Sequence, residues 1–82
     1  MHKVTQVKPL AEQKLEIKFD DDKSFTFDVK PYIYGEVFEP LNETDFFQNV
    51  KIDPDFGSIY WENGADFGPD FLYTKLTEQL PR

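Results

Sequence analysis

The stretch KLEIKFDDDKSFTFDV, residues 14–29, restricts the fold of this chain more than any other. Leu15, Ile17 and Phe19 alternate with Glu16 and Lys18, and Phe25, Phe27 and Val29 alternate with Thr26 and Asp28. Successive side chains of a strand point to opposite faces, so alternation on both sides of a polar run spells a half-buried β-hairpin. The turn is Asp20-Asp21-Asp22-Lys23. A calcium loop needs about six or more oxygens spread over about a dozen residues, with a Gly at the sharp bend. This run lacks both the Gly and a distal Glu, and reads as a solvated turn of ordinary turn residues.

The flanking segments extend the pattern. Val4, Thr5 and Val7 predict an N-terminal strand over 3–10, with Pro9 at a sheet edge or at the exit because it has no N–H. Asp28 is placed to cap a short helical turn over 29–34, which Gly35 stops. Phe38 and Leu41 are expected in the core. Asn42 is a candidate N-cap for a short helix over 43–48, with Glu43 and Asp45 in its first turn and Phe46 or Phe47 buried. Val50 and Ile52 begin a strand, Pro54-Asp55-Phe56-Gly57 turns it, and residues 58–62 return with Ile59 and Trp61 on one face and Tyr60 on the other. After the Asn63-Gly64 break, Pro69 suits the first helical position and Asp70 the first turn. Leu72, Leu76 and Leu80, with Tyr73 beside them, form one apolar stripe that Pro81 ends. The expected class is α+β: a small, mainly antiparallel sheet of about five strands, with a short helix and a C-terminal helix packed on it, as one domain over 1–82.

A chain of 82 residues buries only about 60–65% of its unfolded surface, so its core must be rich per residue. Nine Phe, four Tyr and one Trp provide this, each ring burying about 150–250 Å². With no Cys, disulfides and thiolate metal sites are excluded, and a reducing compartment is favoured. Lys8, Lys14 and Lys18 interrupt every apolar run near the N-terminus, far short of the ~20 residues of a membrane span. A cytoplasmic location without a membrane is expected.

The net charge is −7, which repels a phosphate backbone and argues against nucleic-acid binding by this chain alone. Residues 1–18 carry four Lys and two Glu, net +2, while the remainder carries five basic and fourteen acidic residues, net −9. Such a face steers a basic protein partner, although solubility alone also accounts for it. Rings beyond the needs of the core would cover a partner or a second copy of the chain. Tyr32, Tyr34 and Tyr60 are the tyrosines expected to show a ring edge at the surface.

Few residues invite chemistry. His2 is the only histidine and lies at a terminus. Ser24 and Ser58 have no activating context. Gly35, Gly57, Gly64 and Gly68 form no phosphate-binding spacing. No catalytic residue, metal ligand or cofactor is assigned. Asp66 and Asp70 could act as an acid–base pair if one sat in an apolar pocket, and Glu62 could join them around a hard cation. Their plainer role is at the start of the last helix. Trp and Tyr dominate interface hot spots, yet a domain this small needs its Trp inside. The candidate interaction residues are Trp61, Glu62, Asn63, Gly64, Asp66, Pro69, Asp70 and Tyr73.

VKPL (7–10), LEIKFDDDKSFTFDV (15–29), the Gly35…Phe38…Leu41 spacing, FFQNVKID (46–53) and above all IYWENGADFGPDFLY (59–73) resemble the bacterial family called domain of unknown function 2442. The matching positions of its C-terminal motif are Trp61, Asn63, Gly64, Asp66, Pro69, Asp70, Leu72 and Tyr73. Two positions depart from that pattern: Asp22-Lys23 replace a Gly in the first hairpin turn, and Gly68 replaces a small hydroxyl residue or Ala before Pro69. The resemblance implies a small α+β protein with no established activity. Some members are encoded beside another small protein in an arrangement resembling toxin and antitoxin. The expectation is a non-enzymatic protein-interaction module, antitoxin-like in its most specific form, with self-association as a variant. The alternative is a small-molecule-binding or enzymatic domain using the Trp61–Tyr73 segment.

Overall fold

The computed structural model describes residues 2–79. Strands β1 (Val4–Leu10), β2 (Lys14–Phe19) and β3 (Ser24–Asp28) form an antiparallel meander in that spatial order. The hairpin over 14–29 pairs Leu15 with Phe27 and Ile17 with Phe25, and all four are buried. Strand β1 lies at the sheet's edge, which suits Pro9. Val4 and Val7 are three apart, the wrong parity for one face of a regular strand. A bulge at Thr5 corrects this: Val4 opposes Phe19 and Val7 opposes Ile17, so both reach the core side.

The chain then makes two 3-10 turns, Lys30–Tyr32 and Glu39–Asn42, and helix α1 (Thr44–Phe47). Asp28 acts as expected, its Oδ1 accepting the Lys30 N–H at 3.1 Å. Asn42 does not cap α1. It closes the second 3-10 turn, and Glu43 takes the N-cap position with no side-chain bond. The Pro40 carbonyl accepts the Glu43 N–H, which moves the helix start one residue on. Phe47, rather than Phe46, is the buried ring of α1.

Strands β4 (Lys51–Ile52), β5 (Ile59–Tyr60) and β6 (Asp66–Phe67) form a second antiparallel meander. The expected single sheet of about five strands is therefore corrected to six strands in two three-stranded sheets among the described residues. β6 is two residues long, too short for alternation to register, and it lies where the sequence suggests only a break before a helix. Helix α2 (Pro69–Gln79) follows, with Leu72 and Leu76 buried. Leu80 and Pro81 lie outside the described residues.

The two sheets meet at a seam. The Val4 N–H donates to the Gly57 carbonyl across it at 2.9 Å, while the Lys3 carbonyl accepts the Asp20 N–H at 2.9 Å at the end of the β1–β2 ladder. Gly57 has φ +74, and a Cβ built there would lie 2.5 Å from Lys3 Cβ and 2.6 Å from Lys3 Cα. Only glycine suits both the left-handed backbone and this approach. Inside the seam one core gathers Leu15, Ile17, Phe19, Leu41, Phe47, Ile59, Trp61, Leu72 and Leu76 from both sheets and both helices. Among the described residues no buried side-chain polar atom lacks a partner, and no helix is long and apolar enough to cross a membrane.

Candidate functional site

The segment from Trp61 to Tyr73 separates into architecture and surface. Trp61 is 1% exposed. Its Nε1–H donates to the Phe47 carbonyl at 2.9 Å, so the indole ties β5 to the end of α1. A buried Trp needs such an acceptor. Asn63-Gly64 is a hairpin turn between β5 and β6 rather than the expected break. The Gly64 N–H donates to the Trp61 carbonyl at 3.1 Å, and the Trp61 N–H donates to the Ala65 carbonyl at 2.8 Å. Gly64 has φ +94, the left-handed residue of a three-residue hairpin loop. Asn63 works twice: its Oδ1 accepts the Ala65 N–H at 3.2 Å, and its Nδ2 donates to the Val37 carbonyl at 2.7 Å. That second bond fixes the 34–38 segment against the turn. Glu62 points outward and pairs with Lys51 at 3.4 Å.

The first hairpin turn repeats this pattern without glycine. The Phe19 N–H donates to the Lys23 carbonyl at 2.9 Å, and the Asp22 N–H donates to the Phe19 carbonyl at 3.0 Å. Asp22 has φ +69, so the left-handed position survives the loss of the Gly usual in the resembled family. Asp21 Oδ1 accepts the Lys23 N–H at 3.0 Å and its Oδ2 accepts the Tyr73 hydroxyl at 2.6 Å. These bonds, the tyrosine's first, hold the Asp21 carboxyl below its ordinary range, and the carboxylate raises the Tyr73 phenol in turn. His2 stacks on Tyr73 with ring centroids 3.5 Å apart. The N-terminus, first turn and last helix thus meet at one exposed corner.

Pro69 opens α2, Asp70 lies in its first turn, and the Gly68 carbonyl accepts the Leu72 N–H at 3.1 Å. Asp66 does not serve that helix start. It sits exposed in β6 opposite Tyr60, while Asp70 belongs to the helix, so the two carboxylates have separate settings. Among the described residues no group of three or more His, Cys, Asp or Glu gathers to hold a metal ion.

Asp66 instead lines an open groove of about 290 Å³, with Tyr32, Tyr34, Phe38, Phe67, Gly68 and Phe71. Phe67 is the hub of its rings. Its centroid lies 5.8 Å from Tyr32, 5.5 Å from Phe38 and 5.8 Å from Phe71, and 6.2 Å from Trp61 beneath. Phe71 and Phe67 are stacked, while Tyr32 meets both edge-on, arrangements that aromatic quadrupoles favour. Lys75 Nζ stands 5.4 Å from the Phe71 centroid and 5.8 Å from that of Tyr32, within cation–π range. Tyr34 is 74% exposed, Val37 46% and Phe71 38%. The same segment that supplies Tyr34 and Phe38 also carries Glu36, Glu39 and Glu43, which line a second concavity with Pro40 and Asn42.

Sequence reasoning placed Trp61, Asn63, Gly64, Pro69 and Asp70 in positions with clear architectural duties, and singled out Asp66 and Tyr73 without their partners. It missed Phe67 and Phe71 altogether. Their four-residue spacing across the helix start carries no strand or helix period, because Phe67 ends a strand and Phe71 begins a helix face. The surplus of rings over the needs of the core was the one available signal. No curated protein and no solved structure is significantly similar to this chain. A family model described as protein of unknown function (DUF2442) matches residues 4–78, and the chain belongs to that family.

Proposed function

We propose that the protein is a non-enzymatic interaction module that docks a basic protein partner on the face formed by Tyr34, Val37, Phe38, Asp66 and Phe71. The observation that carries this reading is the exposed ring groove with carboxylates on both sides of the segment that builds it. A soluble monomer seldom leaves contiguous rings in water without using them. Exposed aromatics supply contact area at low entropy cost, and the acidic flank steers a basic partner. In its finer form, drawn from the family resemblance, the chain is the acidic, antitoxin-like half of a two-protein system.

The alternative, a small-molecule or substrate site on the Trp61–Tyr73 segment, keeps Asp66 beside rings but loses Trp61 to the core. A volume of about 290 Å³ also falls at the floor of the ~300–1,000 Å³ common to ligand pockets. Co-purification with the product of an adjacent gene tests the leading reading. The expected result is a complex with a basic protein that weakens with salt and is lost in Tyr34→Ala. In the finer form, co-expression also relieves growth inhibition by that protein. Binding that is indifferent to Tyr34→Ala and to Asp66→Asn would overturn the reading.

A further inference from the structure

Resting on the interaction reading above, we infer that the groove is a receptor for one arginine side chain of the partner. Its walls are mostly aromatic. Tyr34 and Phe71 are partly or largely in water, Phe67 and Phe38 form the inner surface, and among the described residues Asp66 is the one charged residue lining the groove. Ring faces are negative, so they attract a cation, and a carboxylate at their rim adds a charged acceptor. The cluster already holds one cation of its own, since Lys75 Nζ sits over Phe71 and Tyr32 and is balanced by Glu78 at 3.3 Å.

The groove is open, which decides between cations. A lysine ammonium is compact and strongly hydrated, and an open groove leaves most of that water in place. A guanidinium is planar and weakly hydrated. It stacks flat on rings and presents a fork of donors that one carboxylate accepts in two bonds. The volume of about 290 Å³ suits a side chain rather than a folded surface. The concavity lined by Glu36, Glu39 and Glu43 on the same segment favours further basic residues in the partner's flanking chain.

The test is an NMR titration of the full chain with three blocked tripeptides carrying arginine, citrulline or lysine at the centre. Citrulline keeps the shape of arginine and removes the charge. The arginine peptide should shift signals of Tyr34, Phe38, Asp66 and Phe71 saturably in the millimolar range. Citrulline and lysine should bind at least about tenfold more weakly, and Asp66→Asn should weaken arginine binding by a similar factor. Both Asp66 and Tyr34 are exposed, so Asp66→Asn and Tyr34→Ala should keep the wild-type backbone spectrum. Equal binding of citrulline or lysine, or shifts on the Lys8–Lys14–Lys18 sheet face, would overturn the inference. If no peptide binds while the partner complex still depends on Tyr34, the arginine assignment fails and the interaction reading stands.

Discussion

Replacing Gly57 with Ala tests the geometry that joins the two sheets. Two costs arise. A left-handed φ of +74 costs an Ala about 1–2 kcal/mol. The new Cβ would lie 2.5–2.6 Å from Lys3 Cβ, Cα and Cγ, and forcing such a contact in packed structure costs about 1–3 kcal/mol. The smaller unfolded-state entropy of Ala returns about 0.4–1 kcal/mol. The net loss is roughly 3 kcal/mol, a large part of the few to ten or so expected for a chain of this length. It corresponds to a fall in Tm of about 12–24 °C.

Gly64→Ala is the control. Its φ is +94 and nothing lies within 4 Å of a Cβ there, so only the backbone cost remains, about 1 kcal/mol net. Urea unfolding followed by the fluorescence of Trp61, buried in the folded state, measures both variants. Lys3→Ala should fail to rescue Gly57→Ala, because Lys3 Cα and Cβ remain. Equal losses in the two glycine variants would refute the close approach, and full rescue by Lys3→Ala would assign it to the flexible end of the lysine.

Three further outcomes are expected. Trp61→Phe should lose about 2–4 kcal/mol in urea unfolding, because it leaves a buried Phe47 carbonyl without its 2.9 Å donor as well as unfilled volume. Asp22→Gly should raise Tm by a few degrees, since it relieves a φ of +69 at the expense of an exposed 3.6 Å contact to Lys18 that contributes little. Tyr73→Phe should return the Asp21 carboxyl toward the ordinary value of about 3.9, as read by carboxyl carbon shifts. With Tyr73 in place, Asp21's contribution to stability is full above that value and is lost as pH falls through the lowered one. The Tyr73 contribution runs the other way, full below about pH 10 and lost as the phenol ionises above it.

The fold was legible where a period had room to repeat. The hairpin over 14–29 and the Leu72–Leu76 stripe of α2 stand as read. The β4–β5 hairpin over 50–62 also stands as read, while legibility failed at the two-residue strand β6 and at the division into two sheets, where pairing is decided by turn chemistry and by packing on the first sheet. Asn63-Gly64 is a hairpin signal in its own right, but the strand it serves ends at Phe67, just before Gly68. Asn42 shows the limit of capping rules: a good cap residue yields its place when Pro40 begins a tighter turn. Of the candidate site, Asp66 was visible but its ring walls were not. Those rings come from four separate segments, and nothing short of the tertiary fold brings Tyr32, Phe38, Phe67 and Phe71 together.

The seam at Gly57 also has a kinetic meaning. Each meander is closed by turns of a few residues, so its contacts are local and form early. Joining residue 4 to residue 57 closes most of the chain into a loop, at an entropic cost of roughly 3–4 kcal/mol. That cost is met only once both meanders exist to be joined. Lys3 and Val4 therefore act as a clasp fastened late in folding. The Val4 amide, hydrogen-bonded across the seam, should exchange through a sub-global opening that leaves Ile17 and Phe25 paired.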